Sequence, residues 1–123
     1  MKQKLSDVIA ISAACLSTIA VGDVVTISAS NTVIKLAAAG SLAIVGTVAC
    51  HEASALTCTI ETRFRERRDD RLSGAAIAVG PFVWNSAGKA IAYTSVSHDP
   101  ASIAGLCIKS AGAGDTAIET LEY

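Results

Sequence analysis

The sequence predicts an all-β protein: a small β-barrel, β-tulip-like or sandwich domain of short antiparallel strands, with an N-terminal arm. Three observations lead there. From Asp23 onward, runs rich in Val, Ile and Thr alternate with clusters of Gly, Ser, Asn and Asp, the pattern of strands closed by turns. Helical periodicity is weak throughout. The chain is 51% hydrophobic but has only five aromatic residues (two Phe, two Tyr, one Trp), so its core must be built from small and β-branched side chains. At 123 residues it has room for one domain, divided here into an arm or edge segment, 1–20, and a single β domain, 21–123.

The N-terminus reads Met1-Lys2-Gln3-Lys4-Leu5, then an apolar stretch from Val8 to Val21 that looks at first like a secretory signal. Asp7 separates the basic start from the apolar run, and Ser6, Ser12, Ser17 and Thr18 dilute it. The stretch also falls short of the ~18–20 residues that span a bilayer. Its apolar residues fit neither a clean period of two nor an amphipathic helix. The segment is therefore expected to be an arm or edge strand packed on a neighbour, with Leu5, Val8, Ile9 and Ile11 as its contacts.

The strands follow in order. Val24–Ser28 and Thr32–Leu36 flank Ser30-Asn31, a hairpin signal. Leu42–Cys50 is an apolar run broken by Gly46, where a bulge or a close backbone approach is expected. His51–Ser54 reads as a polar turn. The clearest alternation comes next: Leu56, Cys58, Ile60, Thr62 and Phe64 on one face, Thr57, Thr59, Glu61, Arg63 and Arg65 on the other. This is a half-buried strand with one wet side. Further strands are expected at Ala75–Val79, Phe82–Trp84, Ala90–Thr94, Ile103–Lys109 and Thr116–Leu121. Gly80-Pro81, Asn85–Gly88, His98-Asp99-Pro100 and Gly112–Asp115 separate them.

Ten basic residues against eleven acidic ones leave a formal net charge of -1, too little to draw the chain onto nucleic acid or anionic lipid as a whole. Cys15, Cys50, Cys58 and Cys107 are scattered with no CxxC pair and read as reduced core thiols. Cys50-His51-Glu52 with Cys58 matches no standard zinc spacing. The only histidines, His51 and His98, fall in expected turns. His98-Asp99-Pro100 reads as a turn in which Asp99 bonds local amides. Neither glycine cluster has the strand-loop-helix context of a phosphate cradle. Paired carboxylates lie beside arginines or on the terminal strand. No catalytic residue, metal or cofactor is assigned, and an enzyme is not expected.

Arg63, Arg65, Glu66, Arg67, Arg68, Asp69, Asp70 and Arg71 form the one dense charge block, five arginines against three acids with Phe64 interleaved. Such a block cannot be buried unpaired. It admits three readings: nucleic-acid contact through Arg and Phe64, a solvated strand end, or protein recognition through bidentate arginine pairs. The absence of lysine favours directional pairing, so these residues are taken as an inter-subunit or capsid contact.

The run Cys58–Arg71, the run Ala78–Trp84 and the run Asp99–Leu106 together resemble the capsid decoration (cement) proteins of tailed phages and prophages, including a family long catalogued only as a domain of unknown function. That family's hairpin pattern, G-x-x-V-x-W/F-x-x-x-G-K, is similar to Gly80–Lys89 here, and its late G-x-A/C/L strand to Gly105-Leu106-Cys107. The resemblance covers roughly the last hundred residues in turn-and-strand patterns. It implies a β-barrel or tulip-like domain on the outer surface of the expanded capsid, bound to the major capsid protein. It also implies trimers at local three-fold positions in preference to dimers, and synthesis in the host cytoplasm. No membrane and no specific nucleic acid is implied. The arginine block and the 1–20 segment depart from the shortest members. The alternative from another class is a small β-barrel nucleic-acid module using residues 63–71.

Overall fold

Strict alternation along Thr57–Thr62 puts Cys58, Ile60 and Thr62 inside and Glu61 outside, and a closed barrel grows around this strand. In the computed structural model, residues 9–37 and 41–123 are described. Among these residues ten strands run in chain order: β1 Ile9–Ala14, β2 Val24–Ala29, β3 Thr32–Lys35, β4 Ile44–Glu52, β5 Thr57–Thr62, β6 Glu66–Leu72, β7 Gly80–Trp84, β8 Ala90–Ala92, β9 Gly105–Lys109 and β10 Ala117–Glu122. The first five close a barrel in the order β1-β3-β2-β4-β5. The last five form a curled sheet in the order β6-β10-β9-β7-β8. The all-β expectation therefore holds.

The barrel closes because β1 pairs antiparallel with β5 over its whole length, Ile9↔Thr62 to Ala14↔Thr57, and meets β3 in a parallel bridge, Ala14↔Thr32. Ile9–Ala14 is thus a strand of the barrel itself. Ile11, read as a contact for a neighbour, is a core residue only 5% exposed, and Ile9 packs partly buried against the same core. Ile9, Ile11 and Ala13 point inward while Ala10, Ser12 and Ala14 point outward. Outward alanines count as apolar in the sequence and blur a true period of two. Leu5 and Val8 lie outside the described residues.

The hairpin of β2 and β3 turns at Ser30-Asn31, with Asn31 in the left-handed region at φ 52°. Gly46 meets its expectation of close approach: a Cβ there would collide with the Glu61 backbone carbonyl, and β2–β4 pairing shifts register beside it. β4 runs on to Glu52, so the turn expected at His51–Ser54 begins later. Leu56, expected inward, sits in that turn at φ 52° and is largely exposed.

In the second sheet β9 is buried on both faces. Leu106 and Ile108 join Leu121 in the barrel's core, whereas Cys107 packs with Ile77, Phe82, Ala90 and Ile118 in a second core. A strand covered on both sides reads as a continuous apolar run rather than an alternation. Ala75–Val79 is not a strand; only Ile77 bridges, to Ala111. Asn85 Oδ1 accepts hydrogen bonds from the Ala87 and Lys89 amides, forming the expected 85–88 turn. Asp99 Oδ1 accepts from the Ala101 amide and caps the 3₁₀ turn Pro100–Ser102.

Candidate docking surface

The arginine block begins where the chain leaves the barrel and ends along the edge of the second sheet. Phe64 is the pivot. It is buried in the barrel's core and packs on Tyr123, ring centroids 4.8 Å apart. Arg63 and Arg65, one residue to either side, are turned out to solvent. The Arg65 amide donates to the Glu122 carbonyl at 2.8 Å, which ties the crossing to β10.

The rest of the block is β6, which was expected as surface but not as a strand. It pairs with β10 alone in its sheet and carries a bulge where Asp69 and Asp70 face Glu119. Most of its charges are paired within the fold. Arg67 donates to Glu119 at 2.8 Å. Arg68 holds Asp70 through two hydrogen bonds of 2.9 and 2.7 Å and lies 3.7 Å from Glu66. The Arg68 hydrogen bond brings the Asp70 carboxyl down to about 2. Arg71 grips Glu122 through two bonds of 2.7 Å and lies over the Trp84 ring, 4.9 Å from its centroid. Burial works to raise the Glu122 carboxyl, but the bonds from Arg71 and from Thr120 Oγ1 outweigh it and leave it below its ordinary value. Charges on both faces and a bulge are how an open strand edge is kept from pairing with other chains. The charges of Glu66–Arg71 therefore also suit the open edge of the sheet. Among the described residues, Arg63, Arg65 and Asp69 take part in no ion pair.

Arg63 instead joins a feature that the sequence reading missed, a groove of about 760 Å³ between the barrel and the Pro100–Ile103 turn with Tyr123. Val24, Leu42, Ile44, Phe64, Ile103 and Tyr123 supply its apolar lining, with Glu61 and Arg63 beside them. Leu42 is 50% and Tyr123 69% exposed. The apolar surface continues over the outside of the barrel. Thr26 pairs with both Ile34 and Ile44, and cross-strand partners share a face, so Ile34, Ile44 and Val24 are all turned outward. A sequence signal for this existed: the doublets Val24-Val25, Val33-Ile34 and Ile44-Val45 each force one large apolar side chain outside a half-buried strand.

The candidate chemistry behaves differently. Burial pushes the thiol of Cys107 up to about 11. Burial, with the neighbouring Cys15 thiol, does the same to Cys58, also to about 11. Such thiols stay protonated at neutral pH and are poor nucleophiles and ligands. Cys50 faces outward while Cys58 faces the barrel interior, so the two do not converge. His98 Nδ1 accepts from the Thr94 amide at 3.0 Å within its own turn. Among the described residues no group of three or more His, Cys, Asp or Glu side chains is arranged to hold a metal, and no helix is long and apolar enough to cross a membrane. No protein-family model, curated protein or solved structure matches this chain.

Proposed function

We propose that this chain is a structural, non-enzymatic clip that decorates the outer surface of a tailed-phage head, binds the major capsid protein and stabilises the joints between its subunits. It would be made in the host cytoplasm and end on the virion, as a homo-oligomer with a trimer ahead of a dimer. The observation that carries this reading is the exposed apolar groove, beside which Glu61 and Arg63 have no ion-pair partner among the described residues, whereas Arg67, Arg68 and Arg71 are neutralised within the fold. Large apolar patches rimmed by polar groups mark protein contacts. The Gly80–Lys89 and Gly105–Cys107 motifs behind the family resemblance add support, because they form the hairpin and the central strand of one sheet. Such a clip adds buried area across capsid joints and raises the barrier to rupture.

The nucleic-acid alternative loses ground, since Arg67, Arg68 and Arg71 are already engaged by carboxylates and phosphate would have to displace them. The test is co-sedimentation of the full chain with expanded tailed-phage capsids at low and high salt, alongside light scattering with a generic oligonucleotide. Salt-stable binding to capsids, with no response to the oligonucleotide, is the expected result. Failure to bind capsids, or a mass increase with oligonucleotide at low salt only, would sink the proposal.

A further inference from the structure

We infer that the groove beside the barrel is the face through which a second copy of this chain packs, Glu61 of each copy meeting Arg63 of its neighbour. This deepens the proposed function and rests on its self-association half, not on capsid binding.

The groove and the outer face of β2, β3 and β4 form one apolar surface carrying Val24, Ile34, Leu42 and Ile44. Its walls are half-exposed side chains, which suits a broad protein face better than the near-complete enclosure of a small ligand. Charge then selects the occupant. Glu61 and Arg63 stand two residues apart on the outward side of the same strand path, and neither has an ion-pair partner among the described residues. Arg67, Arg68 and Arg71, in contrast, each have a carboxylate within 2.8 Å. One unpaired acid and one unpaired base beside the same apolar face make it self-complementary. Such a face pairs with its own copy either across a two-fold axis, where each residue i that meets j also supplies j for i, or head to tail in a ring, where the acid of one copy meets the base of the next. The pairing fixes register, and the apolar area drives association.

The test is sedimentation velocity on the full chain over a range of concentrations, with circular dichroism to verify folding. The wild type should associate. Glu61→Arg alone and Arg63→Glu alone should each weaken association roughly tenfold or more, through like-charge contact. The double variant carrying both changes should restore it, because the pair is merely exchanged. Ile44→Asp should leave a folded monomer. Three outcomes would each overturn the inference: a wild type that stays monomeric, as it would if the chain's own N-terminal residues filled the groove; association indifferent to the single reversals; and single reversals that the double variant does not repair. Capsid co-sedimentation of the same proteins separates the two claims. A monomeric wild type that binds capsids fails the groove pairing and the homo-oligomer but leaves the capsid clip standing, whereas an oligomer that ignores capsids fails only the clip.

Discussion

The barrel and the second sheet solve the problem of strand edges in opposite ways. The barrel closes β1 against β5 and β3, has no edge to protect, and can leave Val24, Ile34 and Ile44 on its outer face. The second sheet stays open. It ends on β6, seven residues with six charges and a bulge, and on β8, only three residues long. Closure removes the need for charge, and openness demands it. The densest charge in the chain is therefore met largely by ion pairs within the second sheet, and the exposed apolar surface lies on the region poorer in charge. The two halves remain coupled, because β9 gives Leu106 and Ile108 to one core and Cys107 to the other.

That coupling yields the largest expected effect. Phe82→Ala empties a fully buried aromatic site of the second core and should cost about 4 kcal/mol. Urea unfolding should remain a single transition, with Cys58 in the barrel and Cys107 in the sheet becoming reactive to alkylation together. Separate transitions for the two thiols would break the coupling. Gly46→Ala tests the barrel in the same way: its methyl group would meet the Glu61 carbonyl, with an expected loss of about 3 kcal/mol by the same urea measurement.

Arg71→Ala sharpens the comparison at the open edge. It leaves the Glu122 carboxylate, nearly buried, without its bidentate partner and should cost about 2 kcal/mol at pH 7. The folded Glu122 value lies below the ordinary 4.5. Its contribution is thus fully present above that pH and is lost as pH falls through the lowered value. The gap between wild type and variant should shrink over that acidic window, and a gap independent of pH would assign the loss to packing on Trp84 instead. The smallest effect is a gain. Thr62 Oγ1 is buried at the end of β5 with no hydrogen-bond partner among the described residues, so Thr62→Val should raise stability by roughly 1 kcal/mol in thermal or urea melts.

The sequence alone determined the all-β class, the β2–β3 and Asn85–Gly88 turns, the Asp99 cap, the close approach at Gly46 and the inward set Cys58, Ile60, Thr62 and Phe64. All of these depend on local steric preference or on a period of two, which a few neighbouring residues fix. Only the tertiary structure decided that Ile9–Ala14 closes a barrel, because its outward alanines hide the alternation and its partners lie far along the chain. Likewise only the structure decided that Glu66–Arg71 is an edge strand whose arginines are matched by Glu119 and Glu122 from β10, about fifty residues away. The groove has the same origin. Val24, Ile44, Arg63 and Tyr123 become one surface only when the C-terminus and the Pro100–Ile103 turn come against the barrel, and no local pattern encodes where separate elements touch.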